Sequence, residues 1–264
     1  MKLRREGSVE TLRPLKTIGL GFLGAVIAIG AWIALDIAGV VPTGSFRQPG
    51  ADFEQRVRDY VTENPEVLVE SLLRMQEQQR VVQTDEIGQI IAAHSDAIFN
   101  DPATPVGGNP EGDVSLVEFF DYNCPYCRRV APALVEIEES DPDLRLVYKE
   151  WPILGPNSDF AARAALASQS QGKYVAFHKA LMLASGLVNE SKTLEVAAQV
   201  GLDIGRLKQD MATPEVEGMI ERNRQLARAL RISGTPSFVI GDQMLRGAAD
   251  AEAIRGYIRA AREK

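Results

Sequence analysis

The sequence predicts an α/β fold that contains an inserted helical domain and is preceded by a helical extension and one transmembrane helix. Three observations lead to this prediction. A long uncharged apolar segment lies near the N-terminus, the strand-like segments form two widely separated groups, and mainly helical sequence lies between those groups. The composition, 45% hydrophobic and 25% charged, is typical of a globular protein with a sizeable core.

The charge balance argues against a nucleic-acid partner. The 264 residues include 29 basic and 36 acidic side chains, for a formal charge of −7. Five of the basic and three of the acidic residues lie in residues 1–41, so 24 and 33 remain and the rest of the chain carries −9. An acidic surface repels phosphate backbones, so we expect no nucleic-acid partner.

Residues 17–41 are predicted to be a transmembrane signal anchor. The basic segment 1–16 precedes Ile18–Leu35, which is eighteen residues long with neither charge nor proline. That length is enough to cross a bilayer. The basic cluster would keep the N-terminus in the cytoplasm, so everything after Val41 would be exported. This predicts a single-pass inner-membrane protein whose catalytic domain is periplasmic.

A cleaved signal peptide is the alternative, and it would give a periplasmic form without the anchor. The apolar region of a signal peptide is normally about 7–15 residues long and ends in small residues at a cleavage site. Here the apolar run is longer, and no such site follows Val41. In either case the compartment is oxidising, where a single pair of cysteines suggests catalytic use.

Residues 42–51 are predicted to be a linker and residues 52–99 a helical extension. A short amphipathic helix is expected over Asp52–Glu63, and a long one from Pro65 towards Ile98. Four apolar residues of the long helix form a short heptad-like seam, and His94 falls on the same stripe; the four are Leu68, Leu72, Met75 and Val82. The helix therefore either packs on its own domain or self-associates as an oligomerisation stalk.

The remaining chain is predicted to form two half-folds around a helical insertion. Residues 100–113, rich in proline and glycine, are interpreted as a linker, residues 114–157 and 231–264 as the α/β domain, and residues 158–230 as the inserted helical domain. The predicted strands are Val114–Phe120, Leu144–Lys149, Ser237–Ile240 and Gln243–Leu245, the last two joined in a hairpin by Gly241-Asp242.

Cys124 and Cys127 are the only cysteines, and they stand where a strand-like run meets a helix-like run. The first sulfur would lie at a helix N-terminus, where free N–H groups and the helix dipole favour the thiolate. We therefore expect Cys124 to be an exposed nucleophile with a lowered pKa, and Cys127 to be a buried resolving thiol. Zinc needs four ligands, and His94 and His178 are not clustered with the pair. His178 is interpreted as an ordinary helix residue.

The motif set resembles the bacterial DsbA family of thioredoxin-fold thiol–disulfide oxidoreductases. The resemblance covers about residues 114–264 and rests on Cys124-Pro125-Tyr126-Cys127, the helical block and Thr235-Pro236 in that order. The phrase from Tyr148 to Gly155 and the helical extension from about Asp52 are similar to its ScsC-like branch. Some members of that branch are trimeric isomerases.

The resemblance implies specific roles for several residues. Pro236 is expected to form a cis peptide that faces the cysteines, with Thr235, Pro125 and Tyr126 near the substrate. Glu118 matches the position of a buried acid beneath the disulfide, which accepts or relays the proton of Cys127. Its strand is apolar on both faces, and this favours burial. Lys149 on the next strand is a candidate partner, although Glu150 beside it complicates that assignment.

The implied function is disulfide exchange with exported protein substrates, with no cofactor beyond the Cys124–Cys127 pair and no metal. The protein acts either as an isomerase or as a dithiol oxidase whose cysteine pair is kept oxidised by a membrane redox partner. A homo-oligomer, such as a trimer, favours the isomerase direction. The alternative from another class is a copper(I)-binding or holdase module, since two thiolates suit copper(I).

Overall fold

The computed structural model describes residues 49–263. The chain divides into two compact units, with the boundary after Leu73. The predicted transmembrane anchor, residues 17–41, lies outside the described residues, as does the basic segment 1–16. Within 49–263, no helix has both the length and the apolar character that a membrane span requires.

The described elements follow the predicted order closely. They are α1 (Pro49–Glu63), α2 (Pro65–Ala93), α3 (Ser95–Phe99), β1 (Val106–Gly108), β2 (Val114–Phe120), α4 (Pro125–Ser140), β3 (Leu144–Glu150), α5 (Pro156–Ala167), a 3-10 turn (Ser168–Gln171), α6 (Tyr174–Leu183), α7 (Glu190–Gln199), α8 (Ile204–Asp210), α9 (Pro214–Ala229), β4 (Ser237–Ile240), β5 (Gln243–Arg246) and α10 (Ala251–Arg262).

The N-terminal unit contains α1 and the first part of α2. Pro65 opens α2 as predicted, while the side chain of Asn64 donates to the Tyr60 carbonyl oxygen at 2.8 Å and so closes the end of α1. Both helices expose large apolar side chains, among them Phe53 on α1 and Leu72 on α2, which are 60% and 54% exposed. Exposed apolar residues at this density are unusual on the surface of a monomer.

The second unit is built on a five-stranded sheet with the order β1-β3-β2-β4-β5. β2 and β3 run parallel, as expected for a β-α-β unit, and the other neighbouring pairs are antiparallel. Gly241 has a φ of +58°, and Ile240 pairs with Gln243, so the predicted hairpin is confirmed. The thioredoxin-like α/β fold with its helical N-terminal region is therefore as predicted.

The sheet is covered on both faces. One face, which includes Leu116 and Phe120, packs against α4, α6 and α10 together with much of the helical insertion. The opposite face, which includes Phe119, packs against the end of α2, α3 and the last turns of α9 through residues such as Ile98 and Leu226. β2 lies in the middle of the sheet, and six of its seven residues are buried.

Two local predictions are corrected. The segment 100–113, interpreted as a linker, contains β1, which pairs with β3 through Val106 and Val147. The two glycines of β1 made this strand difficult to predict, because Gly is depleted in strands. The long helix ends at Ala93, and a turn at His94 separates α3, so that Ile98 enters the sheet core.

Candidate active site

The cysteine pair lies at the start of α4, and three residues separate Cys124 from the end of β2. Cys124 is the N-cap residue with extended backbone angles, Pro125 is the first helical residue, and Cys127 lies in the first turn. Both cysteines are free thiols in this structure. Cys127 is fully buried, as predicted, but Cys124 is only 4% exposed, so the expectation of an exposed nucleophile was wrong. Tyr126 between them is 54% exposed.

The surroundings of the two sulfurs separate their pKa values. The pKa of Cys124 is lowered to about 5, chiefly because the Cys127 thiol donates to its sulfur, against the opposing effect of burial. Further donors are the Thr235 side chain and the backbone of Tyr126 and Cys127. The pKa of Cys127 is raised above its ordinary value by the same interaction, by burial and by the charge of Glu118. Cys124 is therefore the thiolate and Cys127 the protonated thiol at neutral pH.

The second half of the site comes from the loop before β4. The Thr235–Pro236 peptide is cis, as the resemblance implied. The Thr235 carbonyl oxygen accepts from the Cys124 sulfur at 3.3 Å, although the two residues are 111 positions apart. A thiolate cannot donate, so this contact belongs to the protonated form of Cys124. The structure thus brings the two motifs together in one site.

Glu118 is buried on β2, on the sheet face that α4 covers. It is 3% exposed, and its Oε1 atom has no hydrogen-bond partner within the described chain. Burial raises the pKa of its carboxyl to about 8, and the charge of Cys124 acts in the same direction. Glu118 also lines a cavity of about 20 Å³ between the sheet and helices α4 and α6. A carboxyl with a pKa near neutrality is suited to general acid–base work.

Lys149 is not the partner of Glu118, and that hypothesis is corrected. Glu118 aligns with Tyr148 in the parallel register, and Lys149 with Phe119. Since successive side chains alternate between the faces of a sheet, Lys149 lies on the opposite face. There its ammonium donates to the Ala97 carbonyl oxygen and to Thr104 Oγ1, each at 2.8 Å. Burial lowers the pKa of Lys149 to about 8.

Asp121 organises the loop that carries the cysteines, and no role was predicted for it. Its carboxylate accepts from the Asn123 amide at 2.7 Å, from Ser158 Oγ at 2.7 Å and from the Ile153 and Leu154 amides at 2.8 and 3.0 Å. It is 1% exposed. Four donors satisfy the buried charge, so this carboxylate ties the cysteine loop to the β3–α5 loop and to α5.

Asn123 connects the same loop to the helical insertion. Its side-chain oxygen accepts from the Val188 amide at 2.9 Å, and its NH₂ group donates to the Val188 carbonyl oxygen at 3.1 Å. The same NH₂ group also donates to Ser158 Oγ at 3.2 Å. The residue directly before Cys124 is thus fixed to the segment between α6 and α7.

A second buried polar cluster, centred on Glu150, was missed by the sequence analysis. Glu150 Oε1 accepts from the hydroxyls of Tyr122 and Tyr174, each at 2.7 Å. The Tyr122 hydroxyl also lies 3.1 Å from His178 Nδ1. His178 is buried in α6 and contacts aromatic rings, so it is not an ordinary helix residue. These residues come from separate segments, and no local sequence pattern links them.

The described histidines do not assemble a metal site with the cysteines. His94 lies at the turn between α2 and α3, and His178 lies in α6. In residues 49–263, no group of three or more His, Cys, Asp or Glu side chains is arranged to hold a metal ion.

The donor role of Cys127 predicts a difference between two variants. Cys127→Ala removes the main donor to the Cys124 sulfur, so the pKa of Cys124 should rise by about one unit. Cys127→Ser keeps a hydroxyl donor and should shift the pKa by less. Thiolate absorbance of the single remaining cysteine, followed from pH 3 to 10, measures both. Equal pKa values in the two variants would show that Cys127 is not the stabilising donor.

Comparison with known proteins agrees with this geometry. Residues 115–259 match the family described as DSBA-like thioredoxin domain, and residues 51–80 match the copper resistance protein ScsC N-terminal domain. A thioredoxin-like oxidoreductase from Silicibacter pomeroyi DSS-3 is 53% identical, with a TM-score of 0.63, and the match covers 64% of this chain and 98% of that chain. The catalytic domain of Proteus mirabilis ScsC is 31% identical, with a TM-score of 0.62, and the match covers 67% of this chain and 99% of that domain.

Part of a membrane antiporter sequence also matches this chain. The Na(+)/H(+) antiporter NhaA 3 of Salinispora tropica is 28% identical over 158 residues, which is 59% of this chain and 24% of the antiporter. This chain therefore spans about a quarter of the length of that relative. The DSBA-like match covers more than half of the present chain and contains both cysteines and Pro236. The chain belongs to the family of DSBA-like thioredoxin domains.

Proposed function

We propose that this protein is an exported, membrane-anchored thiol–disulfide oxidoreductase that exchanges disulfides with protein substrates. The observation that carries the proposal is the contact between Cys124, at the start of α4, and Thr235, in the loop before β4. A lowered pKa at Cys124 supplies a thiolate at neutral pH, and the protonated Cys127 lies in the same helical turn. The site needs no cofactor beyond these two sulfurs.

The proposed cycle has two exchange steps. The Cys124 thiolate attacks a substrate disulfide, forms a mixed disulfide and releases a substrate thiolate. Cys127, after losing its proton, attacks the Cys124 sulfur and releases the second substrate thiolate, so that the substrate gains two electrons and the enzyme becomes a disulfide. In the oxidase direction the same steps run in reverse. In the isomerase direction a second substrate thiolate attacks the substrate sulfur of the mixed disulfide and releases the Cys124 thiolate, so neither protein changes its oxidation state. Backbone groups of Thr235 would pair with the substrate strand, beside Pro125 and Tyr126.

We propose that Glu118 accepts the proton of Cys127 in the resolving step. It is buried on the face covered by α4, and its charge raises the pKa of Cys127. A pKa of about 8 lets its carboxyl take up and release protons near neutral pH. Lys149 takes no part, because it lies on the other face of the sheet.

The direction that we favour is isomerase, which requires a reduced site. The apolar residues of α2 repeat at four- and three-residue spacings from Leu68 through Leu72 to Met75, and all three are exposed. A second copy of this chain supplies the matching apolar seam, so self-association as a homo-oligomer, such as a trimer, is proposed. An oligomer would shield the site from a membrane oxidising partner. A dithiol oxidase kept oxidised by that partner is the alternative.

A copper(I) module is the second candidate, and one observation favours it. The family matched by residues 51–80 is named for copper resistance, and the site offers two thiols, Cys124 and Cys127. Copper(I) prefers soft thiolate ligands. An affinity for copper(I) above that of a simple dithiol would support this candidate.

The exchange activity predicts a clear outcome in ribonuclease refolding. Cys124→Ser should abolish the recovery of activity from scrambled ribonuclease, and Cys127→Ser should accumulate mixed disulfides because the resolving thiol is lost. Starting from reduced ribonuclease tests the oxidase direction under the same conditions. Alkylation trapping of the pair in growing cells should show it mostly reduced for an isomerase. Refolding that is independent of both cysteines would refute the proposed activity.

The role of Glu118 predicts a pH-dependent defect. Glu118→Gln keeps the shape of the side chain but cannot take up the proton, so resolution of a mixed disulfide should slow about 10- to 100-fold at pH 7. The defect should shrink at higher pH, where hydroxide replaces the carboxylate as base. Stopped-flow measurement of the release of a peptide from Cys124 checks this, and an unchanged rate profile would contradict it.

Self-association predicts a charge-sensitive oligomer. Leu72→Glu places a charge in the proposed seam and should convert the oligomer to a monomer in sedimentation equilibrium of the full chain. Thr84→Glu adds the same charge to an exposed position of α2 outside the seam and serves as the control. Sedimentation of the unmodified protein as a monomer would remove the main support for the isomerase direction.

A further inference from the structure

Two buried carboxyls share one face of the sheet. Glu118 aligns with Tyr148 across β2 and β3, and Phe120 aligns with Glu150 two residues further along. Glu118 and Glu150 are therefore diagonal neighbours on the same face, with Cα atoms roughly 8 Å apart from strand spacing and rise. They are 3% and 0% exposed. Two like charges at this separation, away from water, repel each other strongly.

Neither carboxyl has a full set of partners. Glu118 Oε1 and Glu150 Oε2 lack a hydrogen-bond partner in the part of the chain that the structure describes. Glu150 differs in one respect, because its Oε1 atom accepts the two tyrosine hydroxyls. Hydroxyl donors favour an ionised carboxyl, and Glu118 has no such donor. Burial raises the pKa of Glu150 as well, and its two hydroxyl donors oppose that shift. The donors therefore favour Glu150 over Glu118 as the site of a single negative charge.

His178 is linked to Glu150 through Tyr122 and shares a cavity with Glu118. Its Nδ1 atom is 3.1 Å from the Tyr122 hydroxyl, which in turn contacts Glu150. Its ring also lines the small cavity that Glu118 lines, and about 20 Å³ is enough for one water molecule. Burial lowers the pKa of His178 to about 3, so the ring is neutral and has one donor and one acceptor nitrogen.

We propose that Glu118 and Glu150 share a proton through His178 and Tyr122, and that Glu150 is a positioning residue that sets the proton affinity of Glu118. The inference rests on the proposed role of Glu118. In the transfer, Glu118 gives its proton to His178 Nε2 through the cavity, the Nδ1 proton passes to the Tyr122 oxygen, and the Tyr122 hydroxyl proton passes to the Glu150 carboxylate. Glu118 becomes ionised and Glu150 becomes neutral. Tyr122 ends as a neutral phenol, and His178 stays neutral but ends in the other tautomer, with its proton on Nε2.

The other charged groups around the pair are largely compensated. Glu138 and Lys179, which also line the cavity, form an ion pair at 2.7 Å. The Asp121 carboxylate has four donors. The charge of Cys124 acts on Glu118, and the charge of Asp121 still raises the pKa of Glu150. Tyr174 donates to Glu150. Cys127 and Tyr148, whose pKa values are raised, stay uncharged at neutral pH.

Infrared titration of the full-length protein tests the inference. The carbonyl stretch of protonated Glu118, identified by its loss in Glu118→Gln, is followed from pH 5 to 10 in the disulfide form. Glu150→Gln removes the second carboxylate, so the pKa of Glu118 should fall by about one unit. Tyr148→Phe is the control, since this ring contacts His178 but its hydroxyl is not in the relay. In this variant the pKa of Glu118 should stay within a few tenths of a unit of its value in the unmodified protein.

Tyr122→Phe is the second variant, in case Glu150→Gln does not fold. It keeps both carboxyls, removes one donor from Glu150 and breaks the relay, so the proton should move towards Glu150 and the pKa of Glu118 should again fall. An unchanged Glu118 titration in the folded variants overturns the inference. The resolution rate of Glu118→Gln tests the proposed function separately, because the infrared shift does not depend on catalysis.

Discussion

Strand β2 lies between β3 and β4 with helices over both of its faces, so a carboxyl on this strand is shielded from bulk solvent. The removal of solvent is what gives Glu118 a pKa near 8 and makes its charge felt at Cys127. The same burial acts on Glu150 one strand away. The acid–base properties of the site therefore depend on the sheet being covered on both sides, and the helices that cover it contribute to the chemistry without touching a sulfur.

The cysteine loop is held by polar contacts of a different kind. Asp121 and Asn123 connect it to the β3–α5 loop, to α5 and to Val188, all of which belong to or border the helical insertion. The insertion separates Cys124 from Thr235 in sequence, yet it fixes the loop that carries Cys124 in space. A long insertion between the two halves of a site is thus compatible with a well-defined arrangement of both.

The sequence was sufficient to predict the helices and strands whose ends are marked by residues such as proline and glycine. Proline, glycine and the change of period located most elements within a few residues, and the resemblance to the DsbA family paired Cys124 with Pro236. Side-chain partners were harder to predict, because they depend on strand register. A shift of one residue decides whether Lys149 or Glu150 shares a face with Glu118. The burial of Cys124 and the contacts of His178 depend on segments far away in sequence, and no local pattern reports them.

The contacts of Lys149 mark the N-terminal limit of the part of this chain that could be transferred intact to another protein. Its ammonium is held by a carbonyl oxygen of α3 and by Thr104, and the adjacent core includes Ile91 and Ile98. The proline- and glycine-rich segment 100–113 resembles a natural fusion point, but a graft made there would discard helices that complete the second face of the sheet. The part that can be transferred intact starts upstream of Ile87, within α2. A fusion boundary that keeps the second face of the sheet covered must therefore lie inside a helix.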